Sequence, residues 1–194
     1  MKIGLFFGSF NPIHSGHLAI AEYMVENTDL DEVWFIVSPQ NPFKPAASLL
    51  PDEDRLTMVN LAINNNSKLK AFDVEFNLPK PSYTINTLNH LKEKFPQHQF
   101  VLIIGEDNLP AFHQWKDYEQ ILKECIVYVY PRSNVEMTTM HFHPKIKVIK
   151  DAPLMDISAT DIRYAIKQGE KVGNKLPDTV WKYIKERGLY KHGQ

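Results

Sequence analysis

At 194 residues the chain is long enough for one core-bearing domain, alone or with a small appended portion, and its 43% hydrophobic content is that of a globular protein. Twenty-two basic residues against 23 acidic ones leave a net charge of −1, which excludes a global field recruiting a nucleic acid polymer or an anionic membrane; any anion site must be local. Cys125 is the only cysteine, so an internal disulfide is excluded, and no run approaches the roughly 18 apolar residues of a spanning helix, nor does the N-terminal run read as a signal peptide; the expectation is a cytoplasmic protein.

In chain order, residues 2–8 read as a buried strand, followed by Gly8-Ser9-Phe10-Asn11-Pro12-Ile13-His14-Ser15-Gly16-His17 and a helix over about 15–27. A second buried strand is predicted at 32–38. The proline-bearing loop from Pro39 to Pro51 carries Lys44 and leads to a helix at 52–64 with Leu56, Val59 and Ile63 in phase. A weaker strand is expected at 69–76 and a helix at 83–95, with Ile85, Leu88 and Leu91 in phase. Strands at 99–105 and 125–130 bracket a helix at 117–124; residues 132–144 are polar and read as a surface excursion, and a weak strand follows at 145–150. Residues 151–194 read as a C-terminal helical portion of one 1–194 domain whose core is 1–150. Near-continuous apolar strands alternating with helices predict an α/β fold, a doubly wound parallel sheet. In such a sheet ligands bind beyond the carboxyl ends of the strands, and the loops after four of the predicted strands meet at that rim.

The segment 8–17 has the chemistry of a phosphate site. A strand that runs through a Gly/Ser turn into a helix leaves the first N–H groups of that helix unpaired at the positive end of its dipole. Gly8 and Gly16 allow an anion close to the backbone, and His14 and His17, three apart, can face it together. Taken alone, a His-x-x-His pair is equally a feature of an ordinary helix. The full string, Gly-x-Phe-x-Pro followed by His-x-Gly-His, resembles the first motif of the nucleotidyltransferase superfamily. That resemblance implies a Rossmann-like nucleotidyltransferase fold, histidines acting on the α-phosphate of ATP, and Gly8, Ser9, Phe10, His14, Gly16 and His17 in the ATP site.

Further along, Ser158 and Asp161 form a Ser-x-x-Asp helix start, which by itself is only a cap. Ile157-Ser158-Ala159-Thr160-Asp161-Ile162-Arg163 also resembles the Ile-Ser-x-Thr-x-Ile-Arg motif of the same superfamily, which implies that Ile157, Ser158 and Arg163 hold the triphosphate. Gly105-Glu106-Asp107-Asn108-Leu109 with Phe112 and Trp115, together with Pro81-Ser82-Tyr83-Thr84, resembles the bacterial nicotinate-nucleotide adenylyltransferases from Met1 to about Tyr190. Asn11 and Phe43 depart from that pattern, standing where Asp and His are common. The resemblance implies AMP transfer from ATP to nicotinate mononucleotide, with Gly105, Asp107 and Arg132 on ATP and Ser9, Lys44, Thr84, Asp107, Trp115 and Lys116 on the acceptor. His14, His17, Lys44 and Arg163 would supply a positive field around the reacting phosphates. Read without it, Trp115 is equally a core plug, Asp107 a turn former and Lys44 a solvated lysine.

Magnesium is expected to travel with ATP and not on a protein carboxylate cluster; His141 and His143 read as surface residues and not as metal ligands. Phosphopantetheine adenylyltransferase and a noncatalytic nucleotide-binding regulator of the same fold remain alternatives, and a homo-oligomer is left open. The acceptor's carboxylate is expected to meet backbone N–H groups, since the segments at Thr84 and Trp115 both read as helix starts and Lys116 is the only cation beside them.

Overall fold

Strands β1 (Lys2–Gly8), β2 (Glu32–Val37), β3 (Leu69–Phe72), β4 (Gln99–Gly105), β5 (Ile126–Tyr130) and β6 (Ile146–Val148) form one sheet in the order β3-β2-β1-β4-β5-β6. Every pairing is parallel. The structure, a computed structural model, describes residues 1–40 and 49–191. Helices α1 (Ser15–Asn27), α2 (Asp52–Ile63), α3 (Thr84–Lys94), α4 (Tyr118–Glu124), α5 (Ala159–Lys167) and α6 (Asp178–Arg187) cover it. This is the doubly wound α/β arrangement expected, and its strand order reverses between β1 and β4, opening a crevice at their carboxyl ends.

The period of two along each strand divides the core into two layers. Phe6 of β1 and Val101 and Ile103 of β4 face a layer shared with Ile20 and Met24 of α1, Met58 of α2, Ile162 of α5 and Val180 of α6. Ile3, Leu5, Phe100, Leu102 and Ile104 face the opposite layer with Leu88 and Leu91 of α3 and Ile121 of α4. All six residues of β2 are buried, which is why residues 33–37 read as an unbroken apolar run after Glu32, whose carboxylate is held by Trp34 and Lys70. The C-terminal helices thus share an apolar layer with the N-terminal ones, and the chain's last described turns reach the first loop.

Three expectations need correction. The strand foreseen at 69–76 stops at Phe72, because Asp73 leaves the extended region (φ −97°, ψ 17°) and Val74–Asn77 form a 3₁₀ turn that buries Glu75. A 3₁₀ helix, Glu106–Gln114, follows β4 and ends on Trp115, whose N–H bonds to the Phe112 carbonyl; Trp115 itself is therefore a helix end, and α4 starts three residues on, where the Tyr118 N–H bonds to the Trp115 carbonyl. His141, expected at the surface, has a side chain only 5% exposed: Thr138 meets its ring and its Nε2 lies 3.3 Å from Glu106 Oε1. Among the described residues no helix is long and apolar enough to cross a membrane.

Candidate active site

The first loop is built around a strained turn. Phe10 takes a left-handed backbone conformation (φ 45°), costly for a residue with a bulky side chain, and the Asn11–Pro12 bond is cis. The Phe10 ring folds under the loop, 2% exposed, against Phe6, Phe35 and the His17 ring (centroids 5.1 Å, 82°). A Cβ on Gly8 would lie 2.8 Å from this ring, so the strand end has to be glycine. Phe10, expected in the ATP site, therefore has its ring in the core, where it supports His17.

His14 caps α1 with extended backbone, and the two histidine rings stack at 3.6 Å and 19°. The His14 N–H donates to His17 Nδ1 at 3.3 Å, which places the proton of a neutral His17 ring on Nε2. A Cβ on Gly16 would crowd the His14 ring at 3.1 Å, so this glycine makes room for the pair. His14 is buried, its Nδ1 has no hydrogen-bond partner, and burial followed by the nearby Arg132 charge lowers its pKa to about 4. The expected positive field therefore does not come from His14 in the ligand-free protein at neutral pH. Its ring is an uncharged group beside a cation.

The second motif arrives from the other end of the chain. Ser158 caps α5, its Oγ accepting from the Asp161 N–H, and Arg163 one turn on donates from Nη1 to the Asn11 carbonyl at 2.8 Å, across 152 residues. Its other nitrogen meets Thr160 Oγ1. Arg132 follows β5, donates to the Met155 carbonyl at 3.0 Å, lies over the Tyr130 ring and stands 3.6 Å from Asp107 Oδ1. Met155 in turn lies against Gly16. The two helix starts, His14, His17, Arg132 and Arg163 thus share one wall of the crevice. Ile157 packs on the core layer beneath, and Ser158 and Asp107 are exposed at its edge.

Several residues that hold this wall have no sequence signature. Asn11 is 2% exposed, and its carboxamide oxygen accepts from the Tyr190 hydroxyl at 2.8 Å and the Leu50 N–H at 3.3 Å. A hydrogen-bonded Asn at this position fits two donors with no charge to bury, which gives the departure from Asp a physical reading. Arg55 is fully buried and donates to the carbonyls of Ser9, Ser38 and Leu50 while pairing with Asp52. The signal that could have found Arg55 is an arginine in phase with the apolar face of α2.

Beside the phosphate wall a pocket opens at the carboxyl ends of β1 and β4. Gly8, Thr84, Gly105, Trp115 and Lys116, all expected site residues, line it together with Glu75. Trp115 leans on Phe112 (5.0 Å, 35°), and the Lys116 ammonium sits 4.8 Å over the Tyr83 ring. Thr84 opens α3, so the positive end of that helix faces the pocket. A Cβ on Gly105 would meet the carboxylate end of Asp107 and press on the Tyr130 ring at 3.1 Å. Ser9, expected in both substrate sites, gives its carbonyl to Arg55 and does not line this pocket. Lys44 lies outside the described residues. Among the described residues there is no group of three or more His, Cys, Asp or Glu suited to a metal ion.

Comparison with known proteins gives three findings. The cytidylyltransferase-like family model matches residues 5–165. A protein of Flavobacterium johnsoniae named "probable nicotinate-nucleotide adenylyltransferase" is 53% identical over 98% of this chain and 100% of its own, and one of the same name from Cytophaga hutchinsonii is 54% identical over 98% of both. The solved structure of Plasmodium falciparum nicotinic acid mononucleotide adenylyltransferase complexed with NaAD superposes with a TM-score of 0.83 over 97% of both chains at 21% identity, a likeness of fold.

Proposed function

As the chain belongs to the nicotinate-nucleotide adenylyltransferases within the cytidylyltransferase-like family, we infer that its crevice transfers AMP from ATP to nicotinate mononucleotide, giving nicotinate adenine dinucleotide and pyrophosphate. The observation that carries the reading is the 2.8 Å bond from Arg163 to the Asn11 carbonyl, which joins two phosphate-binding helix starts next to a pocket bearing an aromatic face.

The 5′-phosphate of the acceptor attacks the α-phosphorus of ATP in line, the bond to the β-phosphate oxygen breaks, and pyrophosphate leaves. The acceptor is already anionic, so neither a general base nor a covalent intermediate is required; alignment and charge stabilisation do the catalysis. In this reading His17 donates from Nε2 to the α-phosphoryl oxygens, and His14, neutral in the empty site, takes up a proton as the triphosphate enters. Arg163, Ser158 and the start of α5 hold the β- and γ-phosphates, with Arg132 and Lys44 adding charge and Gly105 and Asp107 meeting the nucleoside. Magnesium enters on the triphosphate as part of the substrate, held by phosphate oxygens and water. Trp115 stacks on the pyridine ring, and the start of α3 at Thr84 receives its carboxylate. The sole cysteine, Cys125, is a buried free thiol whose pKa burial raises to about 11, in keeping with a reducing cytoplasm.

Pyrophosphate release from ATP with a panel of acceptors tests this. Nicotinate mononucleotide should support it best; turnover with phosphopantetheine alone, or with no acceptor, would overturn the assignment.

A further inference from the structure

Glu75 is the one carboxyl in the pocket wall, and none of the roles above uses it. It sits in the 3₁₀ turn after β3, 1% exposed. Its Oε1 accepts from Thr87 Oγ1 at 2.6 Å, while its Oε2 is buried without a hydrogen-bond partner, the Ser38 and Ser82 hydroxyls being its polar surroundings. Ser38, after β2, and Ser82, before α3, line the pocket with Glu75, and Thr87 lies behind it in the first turns of α3. Among the described residues no cation takes part in this cluster; the three hydroxyls are its polar neighbours, and Tyr83, beside Ser82, is engaged instead with Lys116. A carboxylate in such a place has hydrogen bonds but no countercharge, and burial pushes the carboxyl pKa up. The same pocket is to receive a second carboxylate, that of the acceptor's ring.

We infer that Glu75 is a positioning residue that sets acceptor specificity: as a neutral acid it braces the first turns of α3 beside the pocket and leaves that wall uncharged for an anionic ring substituent, whereas its ionised form repels that substituent. The inference rests on the reading of the acceptor as a pyridine carboxylate mononucleotide. The chemistry is that of two carboxyls sharing one site, where like charge disfavours double ionisation. An uncharged ring substituent, such as the carboxamide, is indifferent to the state of Glu75.

The test is kcat/KM for the acid and the amide mononucleotide over roughly pH 5 to 9, the range into which buried carboxyls are displaced. The ratio of the two is the readout, because the acceptor phosphate, ATP and the histidines titrate alike in both reactions and cancel. In the wild type the acid-to-amide ratio should fall with rising pH by about tenfold or more, the effect of one nearby like charge. In Glu75→Gln, which keeps the shape and cannot ionise, the ratio should be constant with pH and still favour the acid. In Glu75→Ala, which loses the brace, the KM of both acceptors should rise about tenfold while the KM of ATP is unchanged. A wild type that prefers the acid at a pH-independent ratio, or a Glu75→Gln ratio that declines as the wild type's does, overturns the inference and leaves the activity standing. A wild type that uses neither mononucleotide overturns both.

Discussion

In the proposed reaction His17 acts as a rigid donor. Its ring is packed edge-on against Phe10 and Phe6 and stacked on His14, so its Nε2–H is aimed before substrate arrives. Preorganised donors of this kind supply about 3–4 kcal/mol to the transition state. His17→Ala should lower kcat by about 10²–10³ with ATP affinity largely kept and the fold retained by circular dichroism; full turnover would remove His17 from the reaction. His14 carries a different expectation. Its folded pKa of about 4 lies below the ordinary 6.5, so the stability gained by keeping it neutral is complete above 6.5 and is lost as pH falls through 4. The shift corresponds to about 3 kcal/mol. Urea titrations between those pH values should show His14→Gln losing less stability on acidification than the wild type does, and adding ATP, which raises the folded pKa by placing phosphate charge beside the ring, should shrink the wild type's decline.

Strands were legible as near-continuous apolar runs, as in β2, and helices wherever a period of 3.6 ran long enough, as in α3; both phosphate motifs were legible because their residues are close in sequence. The 3₁₀ helix after β4 was not, since Pro110 and the run Glu106-Asp107-Asn108 carry turn chemistry and no apolar period. Nor were Asn11, Arg55 and Glu75 as supports, since their partners lie far along the chain or in other elements and a buried polar residue looks locally like an exposed one. The 3₁₀ helix bears directly on the acceptor. The Trp115 N–H is spent on Phe112 and α4 opens at Tyr118, outside the pocket lining, whereas α3 opens at Thr84 within it, so the start of α3 is the one placed to meet a carboxylate there. Lys116→Ala should therefore leave the acid preference standing, its ammonium being engaged with the Tyr83 ring. Trp115→Ala should weaken both acceptors by about 1–3 kcal/mol, the worth of a base stacked on an aromatic side chain. Steady-state KM values for both mononucleotides separate the two; loss of discrimination in Lys116→Ala would assign the carboxylate to a salt bridge.

Across the whole molecule, the ends of the described chain meet at Asn11. Gly188 turns left-handed after α6, with Gly188 and Leu189 N–H groups closing on the Lys185 and Ile184 carbonyls, and this stop sends Tyr190 back into the core. Burial raises the Tyr190 pKa well above the usual range, so it is a hydroxyl donor at any working pH. Tyr190→Phe should cost about 1–3 kcal/mol in thermal or urea unfolding by leaving a buried carboxamide oxygen one donor short. It should also raise the KM of ATP, because Asn11 holds the carbonyl on which Arg163 is docked; an unchanged KM would separate the tail from the site. The same closure has a consequence in time. During synthesis the loop around residue 11 leaves the ribosome first, and at about 5–20 residues per second its carboxamide waits some ten seconds or more for the hydroxyl made 179 residues later. Until Arg163 and Tyr190 emerge, the nascent chain lacks the arginine docked on the Asn11 carbonyl and the hydroxyl that steadies it, so the proposed triphosphate wall is completed only when the C-terminal helices fold back.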